Sequence, residues 1–561
     1  MSVISKASLV QIPSGYGEDK LYSEVPNTAA GDFTFTRAST GTRVNADGYI
    51  EEVSWNLNTY SEDFTNISYV KDSGITIAST NNVSPIGNNT ATQIDVTNSG
   101  RIYKNVTSAV YRTSVYLKAG TFAYFKFANS QIDLNLGTIS SPYSSSIEDV
   151  GNDWYRISVS YIATIRPFQI QAYPDDTYST HTTSGNYFVW GAMLNYGDTT
   201  KPYIKTTDRL DIPRLDYLND NCPTLLLEPQ RTNTILYDSD YTQTQWQKVN
   251  VLTTGTPIVS PSGLTDGQKL ISANTFGQHY IRQTTYGGVV GQPYVYSVFA
   301  KAGEITTLSL RLLNGGGPTF VNFDLTDGTH DGGANGEMVG YGNGWYRCIS
   351  YHTSATSTTL YPYIYTKTGN TQGDGVSGLY AWGAQLEQGS YPTSYIPSTS
   401  GTSVTRVADV CNDGGDATIF NDAEGVLFIE VAVFTSVGEK VINLSDGGNS
   451  NRIQIGYNTN NRLDVNVRSG GSYQVIFNYT GVTNPNSFNK IAFKYKENDF
   501  ALWVNGVEVL TDTSGITPNG LDRLNLSAPN AISQFFYGKC KQLIYFNEAL
   551  TDTELETLTT I

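Results

Sequence analysis

The chain repeats itself. Ser114-Val-Tyr-Leu-Lys-Ala-Gly120 returns as Ser297-Val-Phe-Ala-Lys-Ala-Gly303, 183 residues on. Ile132-Asp-Leu134 returns as Phe323-Asp-Leu325, and Asn152-Asp-Trp-Tyr-Arg156 as Asn343-Gly-Trp-Tyr-Arg347, both 191 residues on. Trp190-Gly-Ala-Met-Leu194 and Tyr203-Ile204 return as Trp382-Gly-Ala-Gln-Leu386 and Tyr395-Ile396 at a spacing of 192. Upstream, Tyr60-Ser-Glu-Asp-Phe64 answers to Tyr237-Asp-Ser-Asp-Tyr241 at 177. Solenoid units recur every 20–50 residues or so, and this period is far longer, so the repeat is a duplicated domain. The spacing widens in steps, which places insertions in loops and keeps the framework between them.

Within and beyond the copies the pattern is that of strands. Ile491, Phe493 and Tyr495 alternate with Ala492, Lys494 and Lys496, the period-two signature of a half-buried strand. Phe500–Val504, Asn505-Gly506 and Val507–Val509 read as a hairpin, because Asn-Gly supplies the two positive φ angles of a type I′ turn. One helix is signalled, by the capping box Thr551-Asp-Thr-Glu554 with Leu555 and Leu558 on one face. The fold class expected is all-β, with each copy a jelly-roll sandwich of many short strands. At about 100–200 residues per domain, 561 residues suggest three or four domains.

Composition excludes several function classes. Lys+Arg number 35 against Asp+Glu 51, a net charge of −16, the opposite of the basic footprint that phosphate neutralisation demands, so nucleic acid is not an expected partner. No apolar run approaches the length of a membrane-spanning helix, so no membrane insertion is expected. The first residues, Met-Ser-Val-Ile-Ser-Lys-Ala-Ser, contain no apolar core of a secretory signal. Cys222, Cys348, Cys411 and Cys540 lie far apart without a CxxC, as do His181, His279, His330 and His352, and the cysteines read as small buried residues of a reducing compartment. There is no HExxH, GxSxG or phosphate-binding GxxxxGK[ST].

Some residues invite sharper readings. Trp190, Trp382, Trp154 and Trp345 could stack on sugar, but rings of their size usually plug a core. The loops Asp324–Asp331 and Asn412–Asp416 carry the oxygen ligands calcium takes, yet neither has EF-hand spacing, and Asp and Gly are also what turns require. No cofactor is expected beyond such a structural calcium. Glu430 is a candidate for one of the two carboxylates of a glycoside hydrolase, although any acidic β protein offers such pairs by chance.

Specific tracts resemble a known class of protein. Phe35-Thr-Arg-Ala-Ser-Thr-Gly-Thr-Arg-Val44, Leu225-Leu-Leu-Glu-Pro-Gln230, Trp382-Gly-Ala-Gln-Leu-Glu-Gln-Gly-Ser-Tyr-Pro-Thr-Ser-Tyr-Ile396 and Thr405-Arg-Val-Ala-Asp409 resemble tailed-bacteriophage fibre and virion surface proteins. In those proteins the repeated unit is similar to carbohydrate-binding jelly rolls. Residues 410–561 resemble concanavalin-like, laminin-G-type sandwiches through Gly425–Glu430, Lys490–Tyr495, Trp503–Gly506 and Ala549–Glu554. The repeat, and the stretch that separates Ile50–Val53 from Pro213–Tyr217 where chains of this resemblance run almost straight on, suggest a division into five parts. Residues 1–54 would be a virion-attachment segment and small β unit, 55–207 a first jelly roll inserted into it, and 208–232 its return segment. Residues 233–409 would be the second jelly roll and 410–561 the concanavalin-like domain. Residues 1–30, too short to fold alone, would order only on another subunit or virion protein.

The function implied is a non-enzymatic virion surface protein, a head or tail fibre or spike, that binds host cell-surface polysaccharide and touches other virion proteins as a homotrimer. It would be assembled in the host cytoplasm and displayed on the virion. A decoration or adaptor protein and a capsular depolymerase stay open beside it. Aligning the copies indicates where sugar would sit. Phe168, Ile170 and Ala172 match Leu360, Pro362 and Ile364; between them Gln169, Gln171 and Tyr173 match Tyr361, Tyr363 and Tyr365. Strand side chains alternate faces, so the apolar set faces the core and the second set offers amides and phenol rings to a sugar, to a neighbouring subunit or to water.

Overall fold

A computed structural model describes residues 3–53, 56–105, 109–163, 168–196, 200–317, 320–353, 355–435, 440–458, 461–529 and 534–561. Its regular secondary structure is almost entirely strand, and its one α-helix among the described residues is Asp552–Thr559. No described helix is long and apolar enough to cross a membrane. The chain divides into two compact units, Glu52–Arg209, and Met1–Glu51 together with Leu210–Ile561.

Glu52–Arg209 is a sandwich of two six-stranded sheets. One contains Ala109–Ala119, Trp154–Ala163 and Gly185–Tyr196, and the other contains Arg101–Lys104, Tyr124–Phe127 and Phe168–Tyr173. Between them Val115, Leu117, Phe125, Ile157, Phe168 and Ile170 are wholly buried. The second copy repeats the arrangement with two seven-stranded sheets, one around Tyr294–Lys301, Trp345–His352 and Gly378–Gln388, the other around Phe276–Arg282, Thr307–Leu313 and Thr359–Gln372. Both copies carry a β-bulge at the same place, where the register slips between Ser114 and Tyr116 and between Ser297 and Phe299. The facing residues are Gly191 (φ +61°) and Gly383 (φ +60°), a left-handed conformation that glycine adopts without penalty.

The C-terminal sandwich pairs a five-stranded sheet with an eight-stranded one. Its hairpin is as the sequence indicates: Phe500–Val504 pairs with Val507–Asp512, with Asn505 and Gly506 at φ +51° and +85°. The capping box also forms, Thr551 Oγ1 accepting from the Glu554 amide and Glu554 accepting from the Thr551 amide. The eight-stranded sheet recruits strands from far away. Thr224–Leu227 and Leu9–Gln11 both pair with Gly538–Phe546. The N-terminal segment therefore departs from the expectation that it orders only on a partner: Leu9 and Val10 are buried in the chain's own sheet. Three residues suffice because Gly538–Phe546 supplies the missing backbone partners and the core supplies the apolar surface.

Four stretches of sequence meet in a buried ion network. Arg37 Nη1 donates to Asp409 at 2.9 Å, Arg214 to Glu228 at 2.6 Å and also to Asp409, and Arg406 lies 2.8 Å from Glu228. All five side chains are 0–2 % exposed. Burial alone would raise the Glu228 carboxyl, but Arg406 and Arg214 bring it down to about 2. Burial lowers Arg37 to about 10 against the attraction of Asp409. Arg37, Glu228, Arg406 and Asp409 belong to the tracts Phe35–Val44, Leu225–Gln230 and Thr405–Asp409, and Arg214 joins them from just upstream of Leu225, so three of the tracts singled out in the sequence make one junction. Nearby, Phe33–Thr36 pairs with Val410–Asn412, the Arg37 amide donates to Asp211 Oδ1 at 2.6 Å, and the Asp211 amide donates to the Arg37 carbonyl at 3.0 Å.

Candidate functional site

The repeated residues are largely framework. Asn56 Nδ2 donates to the carbonyls of Ala192 and Ile204, and Asn233 Nδ2 to those of Ala384 and Ile396. Lys118 Nζ caps the Asn152 carbonyl at 2.8 Å and Lys301 Nζ that of Asn343 at 2.6 Å. Arg156 donates to the Lys201 carbonyl and Arg347 to that of Thr393, each at 2.7 Å. The four tryptophans are buried, Trp190 in a cluster with Tyr116 and Tyr203, Trp382 in one with Phe299 and Tyr395. None of them is a sugar platform.

The remaining sharp readings resolve into structural roles. Asp324, Asp327 and Asp416 each accept from the amide and hydroxyl of the threonine two residues on, which closes their turns. Among the described residues no group of three or more His, Cys, Asp and Glu side chains is placed to hold a metal ion. Glu430 accepts from Gln542 Nε2 at 2.6 Å and lies opposite Lys490 in the adjoining strand. Cys348, Cys411 and Cys540 are buried and free, and Cys222 is exposed and free.

The face singled out by the alignment has more structure. In the second copy Leu360 and Ile364 pack in the core, and Tyr361, Tyr363 and Tyr365 take the opposite face of Thr359–Gln372. Cross-strand pairing then sets their neighbours: Arg282 and Arg311 flank Tyr363, while Tyr280 and Ser309 flank Tyr365. The Arg282 guanidinium lies 5.2 Å from the Tyr361 ring and 5.4 Å from that of Tyr363, and donates to the Tyr363 hydroxyl at 2.7 Å. Arg311 lies 5.6 Å from both Tyr363 and Phe320. Tyr363 and Tyr365 stack at 5.6 Å and 17°. This corrects the expectation of open phenol rings. Tyr363 is only 6 % exposed and Tyr365 2 %, because guanidinium groups and rings from adjacent strands lie over them; Tyr361 keeps more of its surface.

The first copy shows the same plan. Phe168, Ile170 and Ala172 are in the core, and Gln169, Gln171 and Tyr173 face away from it. Arg101 and Lys126 flank Gln171 across the strands, the positions that Arg282 and Arg311 hold around Tyr363. Lys126 Nζ sits 5.1 Å over Tyr173 and donates to the Tyr178 carbonyl at 3.2 Å, and Tyr173 is 3 % exposed. Arg101 is held by Asp72 at 2.6 Å. The alignment found the central strand of each face; it did not find the flanking cations, which come from strands distant in sequence and become neighbours only through pairing.

Further concavities lie among the described residues. One is lined by Arg43, Asp216, Glu337, Arg347 and Lys539, with Arg43 paired to Glu51 at 3.0 Å and Lys539 to Asp216 at 2.8 Å. Another lies on the five-stranded sheet of the C-terminal sandwich, beside Arg452, Gln454, Asp464 and Asn466.

Residues 430–556 match the family described as the concanavalin A-like lectin/glucanases superfamily, and the C-terminal sandwich is concanavalin-like. No curated protein matches the chain. Solved structures with some likeness include the CBM40 of a Ruminococcus gnavus IT-sialidase, at 17 % identity over 26 % of this chain and 86 % of that one, TM-score 0.23. The tandem CBM22-1–CBM22-2 of Paenibacillus barcinonensis Xyn10C is 10 % identical over 60 % and 98 %, TM-score 0.18. A Bacteroides ovatus structure described as a "putative carbohydrate binding protein" is 10 % identical over 51 % of this chain and 80 % of that one, TM-score 0.20. Likenesses this slight fix neither ligand nor activity.

Proposed function

We propose that the chain is a non-enzymatic surface protein of a tailed bacteriophage, a head or tail fibre or spike, whose two jelly rolls hold host cell-surface polysaccharide. The observation that carries the glycan part is the face built twice at one register: a central amide or phenol on Phe168–Tyr173 and Thr359–Gln372, flanked by cations on both sides. The guanidinium groups, Lys126 and the amides, together with Tyr361, are the partly exposed groups of these faces and can hydrogen-bond sugar hydroxyls; Tyr363, Tyr365 and Tyr173 lie beneath them. Two linked weak sites bind at millimolar effective concentration, so duplication raises avidity without new chemistry. The virion part is supported by the resemblance of the tracts that carry Arg37, Glu228, Arg406 and Asp409. On this reading the protein is a homotrimer assembled in the host cytoplasm and displayed on the virion beside other virion proteins.

The test is to incubate the whole chain with polysaccharide extracted from a host cell surface and to follow both retention and reducing ends. Retention without new reducing ends is the expected result. Release of reducing ends would make the protein a depolymerase. No retention, with a large buried contact to a capsid or tail protein, would make it a decoration or adaptor protein. Antibody labelling of intact particles tests the virion part separately.

A further inference from the structure

The two copies differ in nearly every residue of their binding-side strands, yet both keep a cation on each side of the central position. The row is Arg101–Gln171–Lys126 in the first copy and Arg282–Tyr363–Arg311 in the second. Neutral sugars need no such pair. A face of cations is also unusual in a chain of net charge −16, where self-repulsion is relieved elsewhere by mutual pairing of acids and bases. We propose that the second copy is a site for an acidic polysaccharide, one whose residues carry an oxyanion, and that Arg282 and Arg311 are its anion-recognising pair. This rests on the glycan-binding reading above and adds the charge class of the ligand.

The arginines are posed for that task. Arg282 Nε donates to Gln247 Oε1 at 2.6 Å and Nη1 to the Tyr363 hydroxyl at 2.7 Å, bonds that orient the guanidinium without neutralising it. Arg311 lies against the Tyr363 and Phe320 rings, 5.6 Å from each. Among the described residues neither arginine forms an ion pair with a carboxylate. Acids at the edge of this sheet are engaged locally: Asp331 by the Asn322 amide at 2.8 Å and by Asn322 Nδ2 at 2.6 Å, and Asp324 by the amide and hydroxyl of Thr326. Guanidinium groups recognise carboxylate and sulfate oxygens by paired donors, and hydrogen bonds to charged acceptors are about twice as strong as neutral ones. In the first copy Asp72 already occupies Arg101, which leaves Lys126 as the one cation of that row without an acid partner. The second copy is therefore the stronger anion site.

Binding of the whole chain to polygalacturonate, dextran sulfate and neutral dextran tests this. The expected result is preference for a polyanion over dextran, weakened by raising the salt, since exposed charge attraction is screened. Arg282→Gln with Arg311→Gln should lower polyanion affinity roughly tenfold or more and lower dextran affinity much less, since a glutamine amide still hydrogen-bonds sugar hydroxyls but carries no charge. In that background Asp72→Asn releases Arg101, and polyanion affinity should recover roughly threefold, a gain that no folding defect produces. Whether the carboxylate or the sulfate polymer is preferred names the oxyanion. Equal binding of dextran and the polyanions, insensitive to salt, would overturn the inference while leaving glycan binding intact. Binding of no polysaccharide at all would overturn both.

Discussion

The two jelly rolls use the same bolts and carry different faces. Asn56 and Asn233 tie the same carbonyls, Lys118 and Lys301 cap the same turn, and the Gly191 and Gly383 bulges share their geometry. The outward residues on the opposing sheet have diverged at two positions, Gln169 and Gln171 against Tyr361 and Tyr363, while Tyr173 and Tyr365 agree. What persists after duplication is the frame of side-chain bonds to carbonyls together with the flanking cations; what drifts is the residue between those cations. The second copy differs in one more way, because its closing segment enters the ion network: Ser394 Oγ donates to Glu228 at 2.7 Å and accepts from Arg406 at 2.9 Å.

That last difference predicts the largest effect. Asp409→Ala leaves the Arg37 and Arg214 guanidinium groups buried with too few acceptors, and should cost about 3–5 kcal/mol. Chemical denaturation should show the loss in the unit that contains the second copy and none in Glu52–Arg209.

A smaller effect separates the copies by pH. Ser61 and Asp238 occupy equivalent positions: the Thr206 amide donates to Ser61 Oγ at 2.9 Å and the Ser398 amide to Asp238 Oδ2 at 2.6 Å. Burial pushes the Asp238 carboxyl up to about 6, against the hydrogen bonds of Ser398, Tyr395 and Ser239. The folded state thus holds a proton that the unfolded chain releases near the ordinary aspartate value, so stability falls as pH rises from about 4 through 6, by up to about 3 kcal/mol. Glu228 has the opposite sign: held at about 2, it stabilises above the ordinary glutamate range and that support is lost as pH falls. Asp238→Ser, the residue of the first copy, should flatten the pH 4–7 dependence of the thermal midpoint; an unchanged slope would show that Asp238 is ionised throughout.

Next come the asparagines. Asn56→Ala and Asn233→Ala each remove two buried donor bonds and should destabilise their own copies by about 1–3 kcal/mol each. Unequal costs, read by hydrogen exchange in each unit, would break the equivalence of the frames. The smallest effect is at the lysines: Lys118→Met and Lys301→Met lose a partly exposed cap and should each cost under about 1 kcal/mol.

Much of this was legible locally. The Asn505-Gly506 turn, the Thr551 capping box and the strand alternation are set by neighbours within a few residues, and the duplication shows itself by repetition. The ion network was not legible, because Arg37 and Asp409 lie 372 residues apart and a lone arginine carries no mark of its burial. Nor was the pairing of Leu9–Gln11 with Gly538–Phe546, for three residues are too short a run to signal a strand. The binding-side strand of each copy could be placed by alternation, but the covering of Tyr363 and Tyr365 depends on Arg282, Arg311 and Phe320 from other strands. Replacing all three tyrosines by alanine is therefore expected to lower the thermal midpoint, because two of them are packed beneath their neighbours.

The central claim is that the face formed by Phe276–Arg282, Thr307–Leu313 and Thr359–Gln372 holds polysaccharide. Hydrogen–deuterium exchange of the whole chain, with and without polysaccharide purified from a host surface, tests it most directly. The account predicts slowed exchange in those three strands, weaker slowing in Arg101–Lys104, Tyr124–Phe127 and Phe168–Tyr173, and little change in the buried frame of either copy. Protection confined to the C-terminal sandwich, or none on either face while the polysaccharide is bound, would contradict it.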